Sequence, residues 1–256
     1  MRYSTIPAAL AAIICSLPAY AIVNVEDLRV GQPAAGVSGN LDLSFSGKSG
    51  NTETKALALD GRVQNHRDKV TDFVILSYDY GETADVRNTN AALLHARHVV
   101  QYVARRAWEA FAQVERDEFT RLSFRGLLGG GLRFTLAEKE GHVALHLGTG
   151  AYLTRETLEK RAGLSDDGSD NYARANVYLS YKQQLNPQLK IISTTYYQPR
   201  IGDAADVRAL EQAALAVKMT EQLAIKLALN ITHDSRPPQS VHKTDVSYTT
   251  SLSYRF

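Results

Sequence analysis

The chain closes on TDVSYTTSLSYRF, Thr244 to Phe256. Thr244, Val246, Tyr248, Thr250, Leu252, Tyr254 and Phe256 are apolar, aromatic or methyl-bearing, and Asp245, Ser247, Thr249, Ser251, Ser253 and Arg255 stand between them. A period of two puts the first set on one face of a β-strand and the second set on the other. Strands in soluble sandwiches commonly run to about five or six residues, whereas a tilted strand needs about ten to cross a bilayer. The closing stretch therefore predicts a strand with one face toward lipid and the other toward water.

The pattern recurs along the chain. LAIKLALNIT sets Leu223, Ile225, Leu227, Leu229 and Ile231 against Lys226 and Asn230. ARANVYLSYKQ sets Ala173, Ala175, Val177, Leu179 and Tyr181 against Arg174, Asn176, Ser180 and Lys182. VSGNLDLSFSG sets Val37, Leu41, Leu43 and Phe45 against Ser38, Asn40, Asp42 and Ser44. Segments of this kind centre near Leu43, Leu59, Leu76, Leu94, Ala112, Leu132, Leu147, Val177, Ile192, Leu215, Leu227 and Thr250. The expected fold is all-β, a closed antiparallel transmembrane β-barrel of about 12 strands, within roughly 10–14. The negative mean hydropathy agrees with this, because the inward positions of such a barrel are polar.

The links support the same topology. GKSGNT, GETADVRN, DEFTRL, RETLEKRAGLSDDGSDN, PRIGDAAD and DSRPPQSVHK alternate with the shorter HRDK, ARRA, AEKEG, LNPQ and MTEQ. Outer-membrane barrels have short periplasmic turns and longer external loops. On that topology Tyr102, Trp108, Phe134, Tyr181, Tyr254 and Phe256 form a periplasmic aromatic girdle. Tyr78, Tyr80, Phe124, Tyr152, Tyr196 and Tyr197 fall at the loop ends, as amphipathic rings prefer the two interfaces. A terminal aromatic such as Phe256 also resembles the signal that barrel-assembly machinery reads.

Residues 1–21 read as a secretory signal peptide, with Arg2, an apolar run to Leu17 and an Ala19-Tyr20-Ala21 cleavage site. Residues 22–36 are expected to be a periplasmic segment and residues 37–256 the barrel. Cys15 lies in the leader, so the mature chain has no cysteine for a disulfide or a metal. Losing Arg2 turns a net charge of +2 into +1, which argues against a nucleic-acid partner.

Motifs for chemistry are weak. His142 and His146 share a strand face about 13 Å apart, too far to chelate one ion. His95 and His98 fall on opposite faces. Ser235 follows His233 in ITHDSR, but near neighbours on a strand do not form a triad. GLLGGGLRF lacks a P-loop lysine, and glycine in a barrel strand more often permits a bend or close packing. SDDGSDN lacks the closing glutamate of an EF-hand loop. No catalytic, cofactor-binding or metal-ligating residue is expected. The candidate lumen charges are Asp42, Asp60, Arg62, Arg97, Lys218, Lys226, Asp245 and Arg255. A barrel of this size lies between filled eight-stranded and open sixteen-stranded cases. The lumen is expected to be plugged or very narrow.

SFSGKSGNTET (Ser44 to Thr54), LSYDYGE (Leu76 to Glu82), ERDEF (Glu115 to Phe119), LLGGGLRF (Leu127 to Phe134) and GTGAYL (Gly148 to Leu153) occur in this order. The set resembles the domain-of-unknown-function 481 family, often called salt-induced outer-membrane proteins, from about Val37 to Phe256. The resemblance implies a barrel exported to the Gram-negative outer membrane, and it brings no activity or catalytic residues. The expected role is non-enzymatic, a narrow channel or an envelope-stabilising protein linked to salt or osmotic stress. Lipid, lipopolysaccharide and barrel-assembly machinery are the expected partners. The alternatives are a rim-active hydrolase using His233 and Ser235, and a binding module built on the link from Arg155 to Asn171.

Overall fold

The computed structural model describes residues 35–49, 53–139, 142–166 and 168–256. The expected signal peptide over residues 1–21 and most of the expected 22–36 segment lie outside the described residues. The strands are β1 (Gly36–Lys48), β2 (Thr54–Arg67), β3 (Val70–Thr83), β4 (Val86–Val103), β5 (Arg106–Asp117), β6 (Leu122–Lys139), β7 (Val143–Leu158), β8 (Gly168–Gln184), β9 (Leu189–Arg200), β10 (Asp203–Lys218), β11 (Leu223–Asp234) and β12 (Thr244–Arg255). Every sequence-derived centre falls inside its strand. Each strand pairs antiparallel with its neighbours in sequence, and β1 pairs β12, so the sheet closes into a barrel.

Closure explains the terminal aromatic. Asn40 to Leu43 pair with Arg255 back to Leu252, and Gly39 and Phe256 then exchange both backbone hydrogen bonds, at 3.1 and 3.2 Å. The ring of Phe256 lies where a Cβ on residue 39 would stand, about 2.5 Å from its Cζ. Glycine at 39 lets the last residue seal the seam.

The barrel is inside out relative to a soluble one. Leu41, Leu43, Leu227, Leu229, Val246, Tyr248 and Leu252 are exposed on its outer wall, while Asp42, Arg62, Arg97, Glu109, Arg125, Arg174 and Lys182 are buried within. Water outside would leave this apolar band uncovered and the fold short of driving force, whereas a lipid surround matches it. Tyr102, Trp108, Tyr254 and Phe256 are exposed on the outer wall, and Phe134 and Tyr181 are half-exposed there. This rim, where β1 begins and β12 ends, is called the turn side.

Two sequence expectations need correction. The loop-side links are not uniformly longer. In GETADVRN and PRIGDAAD the ladder continues outward until residues 84–85 and 201–202 turn the chain, with Ala84, Asp85 and Gly202 at positive φ. Polar residues keep pairing beyond the membrane, so composition alone does not end a strand. Tyr152 and Tyr196 do not belong to a loop-side girdle. They lie on the inward face, 3% and 0% exposed, because their even positions place them there in β7 and β9.

Candidate functional site, the closed lumen

The inward residues interlock across the middle of the barrel. Arg97 of β4 donates to Glu109 of β5 at 3.2 Å. Tyr178 of β8 donates to the same carboxylate at 3.0 Å and accepts from Arg133 of β6 at 3.0 Å. Strands β5 and β8 are not neighbours, so this bond spans the lumen. The Arg97 guanidinium also lies 5.0 Å from the centre of the Phe111 ring, within cation–π range. His95 stacks between Phe73 and Phe111, at 6.5 and 6.1 Å, and Tyr178 leans on Tyr196 at 5.2 Å. Tyr152 donates to Gln198, which donates to Asn176, both at 3.0 Å.

Glycine makes room for this layer. The Tyr178 ring occupies the space of a Cβ at residue 148, 1.9 Å from its Cε1. The Phe111 ring and the Tyr152 Cβ crowd the corresponding position at Gly129, at 2.6 and 2.5 Å. These glycines serve close packing of lumen aromatics. Because His95, Thr194, Tyr196 and Gln198 show no accessible surface, no water-wide path runs beside them. The wall from β11 through β12 differs, since Ala228, Thr249 and Ser251 are small and partly accessible.

A second ionic layer lies toward the loops. Arg125 binds Glu115 at 2.6 Å and Glu156 at 2.8 Å, and Arg208 binds Glu156 at 3.0 Å and Asp234 at 2.8 Å. Tyr172 donates to Glu156 at 2.7 Å and lies under three arginines, 174, 200 and 208, at 4.5–5.8 Å. Alternating signs let each buried charge keep a partner, and removing one partner would leave the other stranded. A chamber of about 330 Å³ opens above, lined in part by Asp170, Tyr172, Arg200, Arg208 and Arg236.

Two loops fold over this mouth and are latched by Arg121, which is fully buried. Its guanidinium donates to Asp166 at 2.7 Å, to the Gln239 carbonyl at 3.0 Å and to the Glu159 carbonyl at 3.1 Å. The acidic SDDGSDN stretch thus supplies a latch through Asp166. The Gln239 N–H, and then Arg121, hold the Asp166 carboxyl below its ordinary range. The Asn90 amide, and then Arg87, do the same for Glu118. A depressed carboxylate contributes its stabilisation above the ordinary range near pH 4 and loses it as pH falls through the depressed value. Hydrogen exchange at the Gln239 amide, corrected for intrinsic rate, should stay flat from about pH 7 to 5 and quicken below about pH 4. In Asp166→Asn that acid-induced quickening should disappear.

The sequence-derived lumen charges are dispersed over this architecture. Asp42 is buried and accepts from Lys226 at 2.9 Å across β12. Asp60 accepts from Ser77 at 2.7 Å. Arg62 is buried, with its guanidinium 4.4 Å from the centre of the Phe73 ring. Arg97 is in the central layer. Asp245 is half-buried near the loop mouth. Lys218 and Arg255 stand at the turn-side strand ends, Lys218 half-buried and Arg255 exposed, with Lys218 on Glu221 at 2.7 Å. Sequence reasoning passed over Glu109, Arg125, Arg133, Glu156 and Arg208, and placed Arg174 on the polar face without giving it a partner. Their inward parity was the available signal, but which charges meet across the barrel is not periodic.

His233 and Ser235 do not meet. His233 bonds Thr244 at 2.8 Å, and Ser235 donates to the Ala205 carbonyl at 3.0 Å. His95 points inward while His98 lies on the outer wall beside Trp108. Among the described residues no group of three His, Cys, Asp or Glu is placed to hold a metal ion.

A closed twelve-stranded sheet, apolar outside and cross-linked by charges inside, defines an outer-membrane-type β-barrel. The chain matches the model of the family described as "Protein of unknown function, DUF481" over residues 41–256, and it belongs to that family. No curated protein matches it. Among solved structures it is similar to the NanC porin, at 11% identity and a TM-score of 0.50, covering 86% of this chain and 99% of that one. It is also similar to an outer-membrane channel from Pseudomonas putida F1, at 11% identity and a TM-score of 0.51, covering 92% and 100%. At such identities the likeness concerns the fold.

Proposed function

We propose that this protein is a non-enzymatic barrel of the Gram-negative outer membrane, closed at rest, that leaks small ions slowly and stabilises the envelope under salt or osmotic stress. The observation that carries this reading is the central layer of Arg97, Glu109, Tyr178 and Arg133, which spans the lumen where a porin needs an open path. The partly accessible wall of Ala228, Thr249 and Ser251 supports a residual narrow route, with Lys226 facing it. The separation of His233 from Ser235 speaks against the rim-hydrolase alternative. Exposed loop-side pairs such as Arg236–Asp203 and Arg87–Glu118 weaken as salt rises, which gives ionic strength a handle on the lid.

Refolded protein in a planar bilayer should show conductance steps that are small or absent, and unboiled samples should run apart from boiled ones on a denaturing gel. Neutralising Lys226 should shift any residual conductance toward cations, because a fixed charge in a narrow pore sets the local potential. Porin-sized steps from the unaltered protein, or release of acyl chains from lipid micelles that His233→Ala abolishes, would overturn the proposal.

A further inference from the structure

Some exposed cations on this molecule sit against acids: Lys55 on Glu82, Arg67 on Asp72, Arg87 on Glu118, Arg236 on Asp203. The turn-side mouth of the lumen instead gathers several cations around one cavity. A cavity of about 120 Å³ there is walled by separate hairpins. The β2–β3 turn contributes Lys69, the β4–β5 turn contributes Arg105, Arg106 opens β5, and Arg133 and His146 enter from β6 and β7. Among the described residues Glu138 is the one acid in its wall. Lys69, Arg105 and Arg106 are exposed, and among the described residues none of the three forms an ion pair.

The cavity is built rather than incidental. Arg133 is buried at 4% exposure, beside the buried Val99 and Ala107. The turns are held in register, the Gln101 N–H donating to the Lys69 carbonyl at 2.8 Å and the Thr135 N–H to the Arg105 carbonyl at 2.9 Å. Arg105 itself is at φ 64°, a left-handed conformation that arginine adopts at a cost. The backbone of the two turns that carry Lys69 and Arg105 is thus fixed around one space before any ligand arrives, which lowers the ordering cost of binding.

We propose that this mouth binds a phosphate-bearing anion. A carboxylate is satisfied by one bidentate arginine, whereas a phosphate group offers three oxygens to cations converging from several sides. A cavity of about 120 Å³ exceeds the roughly 30 Å³ share of a water several-fold, leaving space for a tetrahedral oxyanion and its remaining waters. Free phosphate and a phosphomonoester share this chemistry.

The test is titration calorimetry on the refolded full chain in detergent micelles at fixed ionic strength. Inorganic phosphate and glycerol 3-phosphate serve as probes, and acetate as control. Saturable binding of at least one phosphate probe is expected, with acetate much weaker. Tighter binding of glycerol 3-phosphate identifies a monoester ligand, and equal or tighter binding of inorganic phosphate identifies the free ion; either supports the site. Lys69→Ala and Arg105→Ala should each weaken binding about tenfold or more, the usual worth of a charge-assisted hydrogen bond. Arg236→Ala at the other mouth should change nothing. The heat-shifted gel band verifies that each variant is folded, and all the substituted cations are exposed. No saturable heat with either probe, acetate binding as well as phosphate, or binding unchanged in the Lys69→Ala/Arg105→Ala double variant would overturn the proposal.

Discussion

Arg97→Ala should lower the unfolding free energy of the refolded barrel by about 3–5 kcal/mol, the usual consequence of stranding a buried charge. Glu109 would keep its bond from Tyr178 but lose its guanidinium partner, in a lumen where both members of the pair are almost wholly buried. Adding Glu109→Ala removes the stranded carboxylate, so the double variant should recover part of the loss, and the double-mutant cycle isolates the pairing energy. The same double variant empties part of the central layer, and its bilayer conductance should rise clearly above that of the unaltered protein. Urea unfolding in vesicles, followed through Trp108, the one tryptophan, provides the stability readout. Equal losses in the single and double variants would show that the pair is not a coupled unit. An unchanged conductance would show that closure lies elsewhere.

Leu227→Arg should cost about 2–4 kcal/mol and impair insertion, because it places a charge on the lipid-facing wall near mid-strand. Leu227 is exposed on that wall, and its neighbour Lys226 points inward to Asp42 at 2.9 Å. Lys226→Arg is the matched control, putting the same side chain one residue away on the opposite face with its partner retained. It should fold with stability close to that of the parent. A hydrophobic replacement at 226 is not a silent control, since it would deprive buried Asp42 of its ammonium. Refolding yield into vesicles and urea midpoints distinguish the two variants. Equal damage from both would mean that the assigned faces are wrong.

The amino-acid pattern alone carried the strand number, the facing of each clear strand and the polarity of the interior. The alternation of Leu223 to Ile231 and of Thr244 to Phe256 is a local property, because a pleated strand sends successive side chains to opposite faces whatever its partners do. Charges such as Asp42, Arg62 and Arg97 were legible as inward for that reason. In β3, β4 and β9 the alternation is less clean, because inward positions there are apolar too. Phe73, Ile75, Leu93 and Ile192 are apolar residues facing a lumen that is filled rather than wet, so both faces look alike in sequence. Tyr152 and Tyr196 were misplaced on the same account: an aromatic near a strand end suits an interface or a packed interior equally well, and only burial tells them apart.

What the tertiary structure alone decided is which groups meet. Glu109 and Tyr178 are 69 residues apart, and Asp42 and Lys226 are 184 apart. Their contacts depend on strand order, on the register of every intervening ladder and on the stagger that closes the barrel. Residues 84–85 and 201–202 make tight turns for a similar reason, since pairing between two strands continues as long as both backbones supply partners. Facing is written locally, in a period of two. Closure of the lumen, the latch on Arg121 and the cationic mouth around Arg105 exist only once twelve strands have fixed one another's positions.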